Sequence, residues 1–440
     1  MPWLGSAISF GADPDGFLKK HKAELGDVFS LLLNGQKSFF FLNAHDFAEV
    51  FRNAKTLSGE QVLPDLGQKI FGFDAEVYKL VQHDLEVTTS KMMRGKALEP
   101  LTRQMQLELE KVFLELPEEA TEKGLTALMF DSLFPASTRA LFGDGVHSEQ
   151  TLRHYLNLDK PLPYILGNIP SFFFPAFKKA QEALARLMAS PHPNQSEVMD
   201  ARHDLWKQKE SGPEDHGAYD VSVLWAAQAN TIPAAVWTLY HVMGDPEVRE
   251  VVVDEVRGVL ETISERTSNG MPLLSTNHLA DMEKLDSCIW EVLRLTTATI
   301  VMRDALEPTT LSLSNGEEIT IQRGERLLLY VRMAHLDPEI YESPNEFKYD
   351  RFLASSNPEF TKAGRPVKYH LLPFGGGKSI CPGRHFAMNE FKLLVALFVA
   401  AFDFELLPAA QPKLDFSRTG LGNLPPTSDI VVKYRFRGFG

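Results

Sequence analysis

Cysteine is scarce in this chain. Two thiols, Cys288 and Cys381, stand in 440 residues. That is too few for a disulfide framework and too few for a four-thiolate zinc or iron–sulfur site. A cysteine that matters chemically must act alone. Basic charge is also in deficit: 45 Lys and Arg against 58 Asp and Glu leave a formal charge of −13. That balance opposes nucleic-acid binding, which runs on clustered cations. Long apolar runs are missing as well. The longest, Leu393 to Phe402, has ten residues, where a spanning helix needs about 20. The N-terminal Met1-Pro2-Trp3-Leu4-Gly5 has no positively charged region of the signal-peptide kind. No internal repeat or low-complexity tract is present. With 44% hydrophobic and 23% charged residues, the composition is that of a globular protein that is soluble or at most peripheral to a membrane.

What is present is mostly helix. Asp220 can cap a helix from Val221 to about Met243, closed by Gly244. Asp245-Pro246-Glu247 opens the next, with proline at the first helical position. A further helix is expected from about Gly383 to Phe402. Leu311 and Leu313, the turn Asn315-Gly316, then Ile319 and Ile321 read as a hairpin. Another strand is expected at Leu327 to Tyr330. The stretch from Ser190 to Asp220 reads as loops around short helices. The fold class is mainly α with minor β.

The segment Phe374-Gly375-Gly376-Gly377-Lys378-Ser379-Ile380-Cys381-Pro382-Gly383-Arg384 carries the most chemistry. Glycines let a chain approach a flat ligand closely. A helix N-terminus lowers a thiol pKa, and a thiolate so held is a ligand for haem iron. A buried structural cysteine is the plainer reading, and the three glycines weigh against it. Glu291 and Arg294, three apart on a helix, share a face. Alone they would be an ordinary surface ion pair. They gain meaning from Phe347-Lys348-Tyr349-Asp350-Arg351-Phe352 and the cysteine loop that follow.

Taken in this order, the segments resemble the cytochrome P450 superfamily over nearly the whole chain. The resemblance implies the P450 fold: one domain over residues 1–440, with a small β-rich part at about 1–60 and a helical haem-binding core at about 61–440. It implies Cys381 as iron ligand, and Phe374, Gly375, Gly377, Lys378, Gly383, Arg303 and Lys91 as haem contacts. Glu291, Arg294 and Arg351 would form a buried ion network. Several segments are similar to the cholesterol and oxysterol 7α-hydroxylases, with sterol 12α-hydroxylase and prostacyclin synthase as neighbours. They are Trp225-Ala226-Ala227-Gln228-Ala229-Asn230-Thr231-Ile232-Pro233, His335 to Tyr341, and Ser417 to Pro426, with Pro2 to Gly5 and Gly26 to Phe29 fitting the same group.

Three departures stand out. The arginine usual two residues before the cysteine is Ser379, leaving Lys378 and Arg303 for the propionates. The usual Trp-x-x-x-Arg of an early helix is missing, leaving Lys91 or Arg94. The acid and threonine usual on the central helix are Ala229 and Asn230, followed by Thr231. Pro233 has no N–H for the carbonyl of Ala229, so a kink is expected there. That carbonyl and the Asn230 amide, which can donate and accept, could hold water as a proton relay.

The expected activity is sterol or oxysterol hydroxylation with dioxygen and electrons from NADPH through a cytochrome P450 reductase. The expected pocket comprises Trp225, Ala226, Thr296, Thr297, Thr299, Ile300, Leu421 and Leu424 beside Ala229 and Asn230. Isomerisation of a lipid endoperoxide is the alternative; prostacyclin synthase and the 7α-hydroxylases both resemble the chain in having asparagine at the position of Asn230, so that residue does not decide between them. A non-catalytic haem sensor or lipid carrier is a third reading. Ile169 to Lys179, with four phenylalanines beside two lysines, suits insertion into a lipid interface, although a packed aromatic cluster fits the pattern equally. By resemblance the protein is a monomer of the endoplasmic reticulum membrane, and the chain is a soluble truncation lacking its anchor.

Overall fold

The structure is a computed structural model that describes residues 5–60, 62–208, 213–407 and 411–439. The Pro2-Trp3-Leu4 segment lies outside the described residues.

A mixed sheet of five strands runs in the order Val28–Leu33, Gln36–Phe41, Arg326–Tyr330, Ile300–Ala305, Leu57–Ser58. The first two form a hairpin across Asn34 and Gly35, at φ +50° and +81°, the left-handed pair that a two-residue turn demands. Arg326–Tyr330 then joins parallel to the second strand and antiparallel to Ile300–Ala305. The sheet therefore joins residues 28–58 to residues 300–330, and β structure is not confined to the first 60 residues. Phe39, Phe41, Phe47, Val301, Leu327 and Leu329 close one buried cluster against it.

The hairpin of Thr309–Ser312 with Glu318–Ile321 pairs Leu311 with Ile319. Its turn closes with Gly316 N–H to Leu313 O at 3.0 Å, and Gly316 sits at φ +89°. Leu311 and Ile321 face inward and are fully buried.

The helices form the larger layer. Two in line, Pro213–Ala229 and Thr231–Gly244, cross the molecule. The first starts earlier than the sequence suggested. Asp220 is not its cap but a buried residue inside it, and its carboxylate binds side chains of another helix. The kink expected from Pro233 is a break at Asn230, at φ −105° and ψ −32°, with Ala234 N–H reaching back to Asn230 O at 3.2 Å. Asp245 caps Pro246–Glu261 by accepting from the N–H groups of Glu247 and Val248. Glu283–Thr296 and Arg384–Ala401 pack beside the central pair, and their apolar faces merge into one core with Leu239, Cys288, Leu293 and Leu397.

Ile169 to Lys179 is more ordered than a loop. Ser171–Phe173 is a 3-10 turn, and Pro175 opens the helix to Met188. Phe172 and Phe173 are 73% and 63% exposed, whereas Phe177 is buried in the core and Phe174 stacks on Tyr164.

Candidate active site

The cysteine loop is shaped by its glycines. Gly375 and Gly377 adopt φ +72° and +65°, and a Cβ on Gly376 or Gly377 would lie within 3 Å of the Phe51 ring. The loop closes with Cys381 N–H to Phe374 O at 2.9 Å and Arg384 Nη1 to Cys381 O at 2.9 Å. Burial pushes the Cys381 thiol above its ordinary pKa, outweighing the N–H groups of Gly383 and Arg384 and the Arg384 charge, which pull it down. The helix N-terminus alone therefore does not make a thiolate here. Ligation of a metal cation would favour the thiolate form.

Behind the loop lies a buried ionic brace. Arg294 grips Glu291 with two hydrogen bonds of 2.7 Å, and Arg351 Nε shares the same carboxylate at 3.0 and 3.1 Å. Glu291 and Arg294 are fully buried. Arg294 Nη1 also donates to the carbonyls of His335 and Pro344, both at 2.7 Å. His335 carries the brace onward. Its Nε2 accepts from Leu372 N–H at 2.8 Å, so the ring is neutral with its proton on Nδ1. Burial and the nearby arginines hold it far below the usual histidine range. The chain from Arg294 through His335 to Leu372 positions the segment that leads into the cysteine loop.

Above the loop is a cavity of about 480 Å³. Its lining includes Cys381, Phe374, Gly375, Gly383, Arg303, Ala226, Asn230, Thr231, Thr299, Ile300 and Leu421. Other expected residues are elsewhere. Trp225 Nε1 donates to Asp159 at 2.8 Å and the ring packs on Phe71. Leu424 is fully buried in another cluster. Thr296 and Thr297 turn to Asn423, and Ala229 ends its helix outside the lining. Lys91, Arg94 and Lys378 are exposed and do not reach the cavity. A long cation at the right interval gains more from water than from a closed apolar site.

Two buried arginines line the cavity instead. Arg303 donates to the carbonyls of Met302 and Gly376 at 2.7 and 3.0 Å and stacks over Phe51. No carboxylate of the described residues hydrogen-bonds it; burial lowers its pKa, partly opposed by the charge of nearby Glu60. Ser379 lies beside it, with both near Gly59. Arg202 was not foreseen. It is held by Thr89 Oγ1 and Asp220 Oδ1, both at 3.1 Å, while His203 meets the other Asp220 oxygen at 2.9 Å. Its stretch of sequence is polar and unpatterned, and no local signal marks it.

Asn230 is engaged on its acceptor side. Its Oδ1 accepts from Asn423 N–H at 2.8 Å, which takes one of that oxygen's two acceptor positions and fixes which way the amide faces.

The Cytochrome P450 family profile matches residues 1–432. The chain belongs to the cytochrome P450 family. This P450 is similar to cholesterol 7-alpha-monooxygenase of Cricetulus griseus, 32% identical over 99% of this chain and 92% of that one. It is also similar to prostacyclin synthase of Bos taurus, 31% identical over 99% and 93%. The solved structure of retinoic acid bound cyanobacterial CYP120A1 matches with a TM-score of 0.76 at 20% identity, covering 99% of this chain and 97% of that chain. It shares the fold.

The protein is a P450 monooxygenase by family, which implies haem, dioxygen and electrons from a redox partner. The residues present fit a haem. Among the described residues, no group of three or more His, Cys, Asp or Glu side chains could hold a bare metal ion. A single thiol in an apolar cavity suits a metal that brings its other ligands. Arg303, a buried cation bonded to carbonyls, suits an entering carboxylate.

Proposed function

We propose that this P450 hydroxylates a sterol or oxysterol, in the manner of the 7α-hydroxylases. The cavity carries the reading. Cys381 shares one largely apolar chamber with Ala226, Ile300, Leu421 and the polar Asn230 and Thr299, a lining suited to a rigid hydrocarbon with few oxygen functions. The similarity to cholesterol 7-alpha-monooxygenase points the same way.

In this reading Cys381 ligates the iron. Gly375 and Gly383 line the room for the flat ring beside Phe374, Gly377 lies outside that lining and lets the loop turn against Phe51, and Arg303 with Ser379 binds propionate. Haem supplies oxygen activation, which a thiolate ligand biases toward O–O cleavage. The polypeptide excludes bulk water, orients the sterol along the apolar wall and presents the Asn230 amide over it. Electrons come from NADPH through a cytochrome P450 reductase at the endoplasmic reticulum surface, and the enzyme acts as a monomer.

A spectral titration of the holoenzyme with a sterol panel should show saturable shifts for sterols or oxysterols. Reduced protein with carbon monoxide should show the red-shifted Soret band of thiolate ligation, and Cys381→Ser should abolish it. A band of histidine type in the parent would refute the assignment. The similarity to prostacyclin synthase supports one alternative, endoperoxide isomerisation. Turnover of an endoperoxide without NADPH, and none of sterols with it, would select that alternative.

A further inference from the structure

The turn from Gly420 to Leu424 fixes which way the Asn230 amide faces. Asn423 N–H lies 2.8 Å from Asn230 Oδ1. A backbone N–H only donates, so the facing atom must be the oxygen, and the amide cannot turn over without losing that bond. Gly422 presses on the same oxygen. A Cβ there would stand 1.8 Å from Oδ1, and the glycine's φ of +121° suits no other residue. The Asn423 side chain anchors the turn: its Oδ1 accepts from the Thr297 hydroxyl at 2.7 Å and its Nδ2 donates to Asn230 O at 3.2 Å. Two backbone bonds of 2.9 Å, Ala298 N–H to Gly422 O and Leu424 N–H to Thr296 O, hold the turn's flanks. Asn230 Nδ2 has no partner among the described residues, and Asn230 belongs to the lining shared with Cys381.

We propose that Asn423 is a positioning residue that, with Gly422, locks Asn230 as a one-way hydrogen-bond donor toward a ligand oxygen in the cavity. The inference rests on the haem-thiolate reading. An amide does not titrate near neutrality, and Asn423 N–H takes one of the two acceptor positions of Oδ1. Asn230 therefore holds an oxygen atom in place and passes no proton through its side chain. This replaces the relay expected from the sequence.

The vibrational spectrum of the carbon monoxide complex of the reduced holoenzyme tests this. A donor aimed at the ligand oxygen lowers the C–O stretching frequency and narrows the band. The parent should show one lowered, narrow band, and Asn230→Leu should move it up. Asn423→Ala should broaden or split it toward the Leu position. Thr297→Val, a milder change that removes only the anchoring hydroxyl, should do the same more weakly, and Thr297→Ser should keep the parent band. The Soret position is read in the same samples. A parent without the thiolate band overturns the haem-thiolate reading and this one with it. Thiolate Soret bands throughout, with the C–O band unmoved in Asn230→Leu or still narrow and unshifted in both Asn423→Ala and Thr297→Val, overturn the lock alone.

Discussion

At the scale of single residues, burial decides what each charge can do. Glu291 is fully buried between two guanidinium groups, so removing one partner strands charge in a low-dielectric interior. Arg294→Leu should cost about 3–5 kcal/mol, read as a lower urea midpoint and loss of haem from the purified protein. Glu390 shows the reverse case. It is buried with Oε1 unpartnered among the described residues, and burial raises its carboxyl from 4.5 to about 8. The folded protein then holds a proton that the unfolded chain releases, so this group's contribution to stability falls as pH rises from about 4.5 to about 8. Glu390→Gln removes the titration. Its thermal midpoint should gain on the parent between pH ~5 and pH ~9, and parallel curves would refute the argument. Cys381, Glu291, Arg294 and Arg351 were legible because fixed spacing in the chain carries them. Lys91 and Lys378 were misplaced because spacing does not say which face of an element is wet. Arg202 was invisible because its partners, Thr89 and Asp220, lie elsewhere in the chain; Asn423 fell within the expected pocket tail, but its bonds to Thr297 and Asn230 are long-range and were not legible.

At the scale of elements, local chemistry announced most boundaries. Asn315-Gly316 marked a hairpin and Asp245-Pro246 a helix start, because turn and cap preferences act within a few residues. The start at Pro213 was hidden because Asp220 resembles a cap, yet its carboxylate is claimed by Arg202 and His203. Pairing of residues 300–330 with the N-terminal hairpin is a long-range choice that no local pattern states. The break at Asn230 follows from Pro233, and this makes it testable. Pro233→Ala supplies the N–H that Ala229 O lacks, so the helix should run through and draw Asn230 away from Asn423. The unfolding midpoint should change little, since Pro233 stands in the first turn of Thr231–Gly244, where proline is tolerated, while sterol affinity in the spectral titration falls. Unchanged affinity would show that the break does not shape the pocket.

At the scale of the whole molecule, the question is how a protein with a net charge of −13 would meet the sterol substrate proposed for it at a membrane. No helix among the described residues is long and apolar enough to cross a bilayer. Phe172 and Phe173, 73% and 63% exposed, stand beside exposed Tyr164 and Ile169, and Lys178 and Lys179 are exposed just beyond. Buried in lipid, the two rings would contribute about 2–4 kcal/mol together, a factor of roughly 30 to 1000 in partitioning. The lysines offset the overall negative charge locally at an anionic surface. Phe177 is buried in the core and Phe174 is half-buried against it and stacked on Tyr164, and replacing them would confound lost binding with lost folding. The informative variant is therefore Phe172→Ser with Phe173→Ser. The parent should float with liposomes of mixed neutral and anionic lipid, and the double variant should stay at the bottom of the gradient with its carbon monoxide spectrum intact. Equal flotation of the two proteins would mean that another surface meets the bilayer.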